Sequence, residues 1–281
     1  MCDASVKVSI IIPVYNEMPT LGEVLRRVLA APLPAGCERE VIVVDDGSTD
    51  GTRVVLEEFQ RRERLLTYYS AINEGKGAAL RVGIGKATGS IILVQDGDLE
   101  YDPADYVAVL TPIVSGTADI VYGSRFSAGP GKAGHHDCSQ NVVSGFSRTA
   151  GMRWPNWIAN RLLALTANVL FDAGISDEAT AYKAFRADVL RRVTLTCRRF
   201  EFCPEVTAKL RRLGYRIQEV PISYHPRSVE QGKKIRYSDG FEAFWTLVRF
   251  RVLPRRRFEV SAPARSFGLA PAIVARAGQR R

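Results

Sequence analysis

Three acidic side chains alternate along one short segment of the chain. Asp96, Asp98 and Glu100 occupy positions i, i+2 and i+4 directly after an apolar run. In an extended chain such residues point to the same side, so the three carboxylates are predicted to lie together. Without a counter-ion they would repel one another and raise their pKa values, whereas a hard divalent cation would stabilise them. The spacing favours a Mg²⁺ or Mn²⁺ site, with a turn of solvated Asp side chains as the alternative.

A second acidic pair, Asp45 and Asp46, opens the segment DDGSTDG. This composition suits a turn followed by a helix cap. Carboxylates at the end of a strand also accept hydrogen bonds from a nucleobase or from ribose hydroxyls. Because the pair directly follows an apolar run, the sequence favours nucleoside binding.

Several other ligand-binding patterns are excluded. Gly83, Gly85 and Gly89 resemble a dinucleotide-binding fingerprint, but the last spacing is wrong and the segment ends a predicted helix instead of beginning one. The chain has no Walker A motif. The HHDC cluster at residues 135–138 contains metal-ligating residue types, but adjacent ligands do not match the spacing of zinc sites. These observations argue against a dehydrogenase, a P-loop NTPase and a structural zinc site.

Apolar, β-branched runs alternate with amphipathic stretches and position the acidic clusters. This rhythm predicts an α/β fold, an open and mostly parallel sheet with helices on both faces. Ligands bind such sheets beyond the carboxyl ends of the strands, which is where the polar clusters occur. The predicted strands are residues 8–14, 40–44, 65–69, 90–94, 119–122, 180–185 and 216–223. The predicted helices are residues 20–30, 52–62, 76–87, 103–115, 157–171, 187–193, 204–213 and 240–252. Residues 127–155 are predicted to be a long loop.

The composition fits a globular protein, because the 281 residues are 46% hydrophobic and 25% charged. The net charge is +9, and residues 221–281 carry the whole excess, with 13 basic against 4 acidic residues. An anionic partner is therefore expected at this end of the chain. Residues 254–281 are predicted to form a disordered Arg-rich tail. The five cysteines include no C-x-x-C pair and are predicted to be reduced thiols.

No run approaches the length of a membrane span, and the N-terminus has no signal-peptide pattern. The protein is therefore expected in the cytoplasm, free or peripheral on the cytosolic face of a membrane. Residues 238–253 are predicted to form an amphipathic helix with Arg side chains at its end. Such a helix either packs on its own domain or lies on an anionic membrane surface. Its apolar stripe consists of Phe241, Phe244, Trp245, Val248 and Val252.

Seven motifs, in order over residues 8–252, resemble those of family 2 glycosyltransferases. The resemblance is closest to the polyprenyl-phosphate sugar transferase group that includes dolichol-phosphate mannosyltransferase. The motifs are PVYNE at residues 13–17, VVDDGSTDGT at 43–52, NEGKGAAL at 73–80, DGDLEYDP at 96–103, GSRF at 123–126, SDEATAYKAFR at 176–186 and VPISYHPRSVEQGKKI at 220–235.

The resemblance implies a GT-A domain over residues 1–237 and an inverting transfer of a hexose, mannose or glucose. It implies Mg²⁺ or Mn²⁺ held by Asp96, Asp98 and Glu100. Asp98, Arg125 and Asp177 are implied as catalytic residues, where Asp177 acts as a base, positions the acceptor or caps the helical region that follows. The implied substrate-binding residues are Pro13, Tyr15, Glu17, Val44, Asp46, Lys76, Gly97, Arg125, Arg227 and Lys233.

The resemblance also implies the partners. These are a nucleotide-sugar donor, GDP-mannose or UDP-glucose, a polyprenyl-phosphate acceptor and an anionic membrane surface. Because the sequence shows no membrane span, either a separate anchoring subunit or adsorption to the surface alone would hold the enzyme there. A family 2 transferase with a non-lipid acceptor is the alternative enzyme. A nucleic-acid-binding protein is the non-enzymatic alternative, and the chain contains no nucleic-acid-binding motif to support it.

Overall fold

The computed structural model describes residues 5–126, 152, 154–227 and 237–260. Its strands are β1 Val6–Val14, β2 Cys37–Asp45, β3 Leu65–Tyr69, β4 Ile91–Val94, β5 Ile120–Ser124, β6 Lys183–Arg186 and β7 Gln218–Pro221. Its helices are α1 Met18–Ala30, α2 Thr52–Arg62, α3 Lys76–Lys86, α4 Tyr106–Val114, α5 Trp154–Phe171, α6 Ala187–Leu190, α7 Phe202–Arg212 and α8 Tyr237–Val252, with 3₁₀ turns at Pro103–Asp105 and Arg255–Arg257.

The seven strands form one sheet in the order β3-β2-β1-β4-β6-β5-β7. Neighbouring strands run parallel except at β6, which is antiparallel to both β4 and β5. The prediction of a mostly parallel sheet covered by helices is confirmed. Because β6 runs in the opposite direction, its amino end lies at the edge where β1, β2 and β4 have their carboxyl ends.

The central strand β1 is buried on both faces, as its continuous apolar run predicts. Ile10 and Ile12 pack with Leu21 of α1, whereas Ile11 points to the opposite face and packs with Leu80 of α3. This alternation follows from the two-residue repeat of a strand. The sheet therefore separates two apolar cores and holds the strand ends in fixed positions.

Helices α5, α7 and α8 pack together on one face of the sheet. Leu163 and Ala167 of α5 belong to the same buried cluster as Leu210 of α7 and Leu247 and Phe250 of α8. Within the described ranges, no helix combines the length and the hydrophobicity that a membrane crossing requires. The predicted amphipathic helix thus exists as α8, and it packs on its own domain through residues other than the predicted stripe.

The predicted disorder of residues 254–281 is wrong for residues 254–260. Phe258 is only 2% exposed, and its ring packs edge-on against Phe250 of α8 with centroids 6.2 Å apart. Glu259 forms an isolated β-bridge with Val193. One buried aromatic ring therefore anchors this Arg-rich segment. Residues 261–281 lie outside the described residues.

Two smaller predictions agree with the structure. Cys37, Cys197 and Cys203 are free thiols, while Cys2 and Cys138 lie outside the described residues. Gly83, part of the rejected dinucleotide pattern, lies where α3 crosses β1, and a Cβ atom there would overlap the side chain of Ile11. This glycine therefore serves close helix-to-strand packing.

Candidate active site

The residues that follow β1, β2 and β4 meet at one edge of the sheet. The backbone N–H of Asp46 donates to the carbonyl of Val14 over 2.8 Å, and that of Gln95 donates to the carbonyl of Ile11 over 3.0 Å. These bonds continue the strand pairing into the loops. Residues 176–182, which precede β6, reach the same edge because β6 is antiparallel.

Two cations neutralise acidic side chains at this edge. Lys76, the first residue of α3, places Nζ 2.5 Å from Oδ1 of Asp96. Arg227, which follows β7, places Nη2 2.5 Å from Oδ2 of Asp98 and Nη1 3.1 Å from Oε2 of Glu17. Five of the site residues predicted from the sequence therefore lie in one charged cluster.

Asp96 and Asp98 bring two largely buried carboxylates together at this edge. Burial, followed by the charge of Asp96, raises the pKa of Asp98 to about 7, and the guanidinium of Arg227 offsets only part of that rise. Crowded carboxylate oxygens of this kind are stabilised by a hard cation, so the pair fits the predicted Mg²⁺ or Mn²⁺. Among the described residues, no group of three or more His, Cys, Asp or Glu side chains is arranged around one point.

Glu100 connects the cluster to the segment after β7. Its Oε2 accepts a hydrogen bond from the hydroxyl of Tyr224, and its Oε1 accepts one from the backbone N–H of Arg227, each over 2.9 Å. Its backbone carbonyl accepts from the N–H of His225 over 2.8 Å. Glu100 therefore fixes the loop that carries Arg227, and its role as a third metal ligand stays a prediction.

A cavity of about 420 Å³ opens at the ends of β2 and β3. Asp45 lies in its wall, and the Asp45 carboxylate accepts a hydrogen bond from the N–H of Ser48 over 3.1 Å. The guanidinium of Arg53 lies 4.4 Å above the ring of Tyr69. A carboxylate acceptor beside a flat aromatic face suits a nucleobase. The complete lining is Asp45, Gly47, Ser48, Thr49, Arg53, Tyr69, Ser70 and Ala71.

Asp46 and Val44, the predicted nucleoside contacts on this strand, have other partners. Asp46 accepts hydrogen bonds from the backbone N–H groups of Glu74 and Gly75, over 2.9 and 2.7 Å. Burial raises its pKa, and these two hydrogen bonds offset part of the rise. Val44 is fully buried in the core. The nucleoside contacts of Asp46 and Val44 stay predictions. Side chains alternate in direction at the end of β2, so Asp45 points toward the cavity, and the structure adds this residue to the candidate site.

Arg125 and Asp177 form a buried ion pair at the ends of β5 and β6. The Nε and Nη2 atoms of Arg125 each donate to Asp177 over 2.7 Å, and the backbone N–H of Arg125 donates over 3.0 Å. Asn160 of α5 adds a fourth hydrogen bond over 2.9 Å. Burial alone would raise the pKa of Asp177, but the charge and hydrogen bonds of Arg125 outweigh it and lower the pKa. The carboxylate is therefore ionised and committed to holding Arg125.

Sequence reasoning missed the residues that hold this pair. Glu219 of β7 accepts hydrogen bonds from the hydroxyl of Ser176, over 2.8 Å, and from the N–H of Asp177, over 3.0 Å. Asn160 also accepts from the N–H of Ala179 over 3.2 Å. No local pattern marks these residues, because their partners are brought together only by the fold.

The remaining predicted residues take varied positions. Pro13 is buried at the end of β1, and Tyr15 is half-buried just beyond it. Gly97 lies so close to β1 that a Cβ atom would be 2.7 Å from Cγ1 of Val14. Lys233 lies outside the described residues, as do residues 127–151 of the predicted long loop.

Comparison with known proteins gives a consistent result. The model of the glycosyl transferase family 2 matches residues 9–194. The chain is 30% identical over 226 residues to the dodecaprenyl-phosphate galacturonate synthase of Rhizobium johnstonii, covering 79% of the chain and 60% of that relative. It is 30% identical over 234 residues to the undecaprenyl-phosphate mannosyltransferase of Micrococcus luteus, covering 81% of the chain and 87% of the relative. The chain thus spans less than two thirds of the first relative and most of the second.

A solved structure shares the fold. Glucosyl-3-phosphoglycerate synthase from Mycobacterium tuberculosis, in complex with Mn²⁺, uridine diphosphate and glucosyl-3-phosphoglycerate, superposes with a TM-score of 0.63 at 16% sequence identity. The match covers 89% of this chain and 82% of that one. At this identity the likeness concerns the fold alone.

Proposed function

Because the chain belongs to glycosyl transferase family 2, we propose that it transfers a hexose from a nucleotide-diphosphate sugar to a polyprenyl phosphate. The hexose is mannose or glucose, carried by GDP-mannose or UDP-glucose, and the configuration at the anomeric carbon is inverted. The names of the two relatives, one a galacturonate synthase and one a mannosyltransferase, support the lipid-linked acceptor.

The observation that carries this proposal is the charged cluster beside the nucleoside-sized cavity. Asp96 and Asp98 meet the cations of Lys76 and Arg227 within 2.5 Å, and Asp45 lines a cavity of about 420 Å³ nearby. A nucleoside in that cavity directs its diphosphate toward the cluster. Lys76 and Arg227 then stabilise the negative charge that develops on the departing diphosphate.

Asp96 and Asp98 would hold a divalent cation, Mg²⁺ or Mn²⁺, which when bound supplies further charge stabilisation for the diphosphate. The two carboxylates provide hard oxygen donors, and a diphosphate provides more. Before a cation and donor bind, Arg227 and Lys76 balance the carboxylates. We expect both side chains to exchange carboxylate partners for phosphate oxygens when the donor arrives.

The acceptor needs little activation. The second pKa of a phosphate monoester is about 6, so a polyprenyl phosphate is largely ionised at neutral pH and attacks the anomeric carbon as an oxyanion. Its oxygen forms the new bond to the sugar while the bond to the diphosphate breaks. Asp177 accepts four hydrogen bonds, so it holds Arg125 toward the acceptor phosphate in place of removing a proton.

The enzyme is expected to act at the cytosolic face of a membrane, where a lipid-linked acceptor is available. Its basic C-terminal part favours an anionic surface. A separate membrane-anchoring subunit would serve the same purpose.

Extraction of lipid after incubation with a labelled donor tests the proposal. GDP-mannose, UDP-glucose and a galacturonate donor are each supplied with Mg²⁺ or Mn²⁺ and a short polyprenyl phosphate. We expect label from one donor in the organic phase, and Asp98→Asn should abolish it. Asp172→Asn is the matched control, because Asp172 is exposed and has a φ of 52°, which Asn tolerates. Label that stays in the aqueous phase with every donor would contradict the lipid acceptor.

A further inference from the structure

Helix α5 carries a stripe of exposed apolar side chains. Ile158, Leu162, Leu165 and Val169 recur at i, i+4, i+7 and i+11, and Val169 is 75% exposed. The opposite side of the helix packs into the core through residues such as Leu163 and Ala167. Its 18 residues include no acidic side chain. An apolar stripe of this length on the outside of a domain is unusual unless it binds something.

Helix α8 adds a second stripe beside the first. Phe241, Phe244, Trp245 and Val252 are exposed, with Trp245 at 59%. Ala243, Leu247 and Phe250 of the same helix are buried and hold it on the domain. Because α5 and α8 pack against each other, the two stripes lie on neighbouring helices. We call the two stripes together the α5–α8 face.

Basic side chains extend from one end of the α5–α8 face. Arg249 and Arg251 occupy the last turn of α8, and the turn Arg255–Arg257 follows. All five arginines are exposed. Exposed Trp and Phe beside a group of arginines match the composition of a surface that inserts among lipid headgroups, with apolar side chains toward the acyl chains and guanidinium groups on phosphates.

We propose that the α5–α8 face lies on an anionic membrane and that α5, not α8 alone, forms its apolar centre. The proposal relies on the proposed function only for the choice of lipid as the partner. Two other occupants fit less well. A second copy of this chain offers no acidic side chain on α5 to meet the arginine group, and residues 261–281 contain four arginines and no acidic residue, so they would be repelled by it.

Contact through α5 would place the catalytic pair close to the lipid. Asn160 lies on the inner side of α5 and donates to Asp177, which holds Arg125. An α-helix with its side chains is about 10 Å across. The outer side of α5 would therefore touch the membrane while its inner side touches the residues that face the acceptor phosphate. A lipid-linked acceptor would then reach the site without leaving the headgroup region.

Vesicle binding without donor or acceptor tests this surface. The full chain is mixed with vesicles of phosphatidylcholine alone or with about one third phosphatidylglycerol, and bound protein is measured by flotation. The test variant is Leu162→Glu/Val169→Glu on α5. The matched control is Val54→Glu on α2, because Val54 is 68% exposed and lies outside the α5–α8 face. Thermal unfolding and sedimentation velocity are recorded for each protein.

We expect the original chain to bind the anionic vesicles. The α5 variant should bind them at least tenfold more weakly, and the control variant should bind them as well as the original chain does. Equal binding by the α5 variant and the original chain would overturn the proposal. The proposal would also be overturned if the original chain were a dimer, the α5 variant were a monomer and neither protein bound vesicles, since the α5–α8 face would then join two copies. This outcome is independent of the transfer assay. If the chain binds vesicles through α5 but transfers no label to lipid, the proposed function is refuted and the membrane-binding surface is still supported.

Discussion

The buried pair of Arg125 and Asp177 gives the sharpest test of how the site is built. Asp177 is 0% and Arg125 is 8% exposed, and two parallel 2.7 Å hydrogen bonds join them. Removing one partner leaves the other as a buried charge without compensation. Asp177→Asn should therefore lower the free energy of unfolding by about 3–5 kcal/mol. This is a large part of the total stability of a folded domain, which is typically about 5–15 kcal/mol.

A second variant distinguishes this charge effect from a general loss of packing. Arg125→Gln should destabilise the fold by a similar amount, because Asp177 then loses its cation. The double variant Arg125→Gln/Asp177→Asn replaces the ion pair with two amides that can still hydrogen-bond. We expect it to lose about as much stability as one single variant, which means a coupling of about 3 kcal/mol, near the upper limit for residues in contact.

Urea unfolding at pH 7, followed by circular dichroism, measures all three values. If the losses of the single variants simply add in the double variant, within about 0.5 kcal/mol, the pair does not interact as described. The transfer assay adds an independent reading. The double variant should remain inactive although it is folded, since the guanidinium that we propose to face the acceptor phosphate is absent, and restored transfer would show that this charge is unnecessary.

Three further predictions concern neighbouring features. Burial raises the pKa of Glu178 to about 8 from 4.5, so this group destabilises the fold increasingly as the pH rises from about 4.5 to 8. Glu178→Gln should therefore stabilise the protein by about 3 kcal/mol at pH 7 and by less than about 1 kcal/mol at pH 5. A difference in melting temperature that is independent of pH would contradict this. Gly75 has a φ of 104°, and a Cβ atom there would be 2.5 Å from the carbonyl of Arg198, so Gly75→Ala should cost at least about 2 kcal/mol in thermal unfolding. Gly85→Ala, in open space on α3, should instead stabilise by about 0.5 kcal/mol or more, and equal effects at both positions would refute the reasoning. EDTA should weaken binding of the nucleotide sugar, measured by calorimetry, at least tenfold, and Mn²⁺ should restore it; binding that EDTA leaves unchanged would exclude the cation site.

Local patterns predicted the sheet because each signal lies within a few residues. The apolar run of β1 and the acidic residues after β2 and β4 are adjacent in sequence, so the strands and the polar edge could be predicted together. The pairing of Arg227 with Glu17 could not, because the two residues are 210 positions apart. Nothing in the spacing of either segment indicates which distant charge it will meet.

The end of β2 shows a different limit. The sequence indicates that an acidic pair follows the strand, but successive side chains point in opposite directions, so one carboxylate of the pair turns to the cavity and the other away from it. Asp45 lines the cavity, whereas Asp46 accepts hydrogen bonds from the loop before α3. The position of the last strand residue, which sequence patterns predict least well, thus determines which carboxylate lines the cavity.

The antiparallel strand β6 explains how a fold of the α/β type acquires its second charged centre. In a fully parallel sheet, the segment before a strand lies at the edge away from the ligand. Since β6 runs against β4 and β5, the segment before it, which includes Asp177, arrives beside Arg125 at the carboxyl end of β5. The same reversal places α5 next to this pair through Asn160. One inverted strand therefore lies between the charged cluster and the buried ion pair beside α5, because β6 separates β4, which Asp98 follows, from β5, which Arg125 follows.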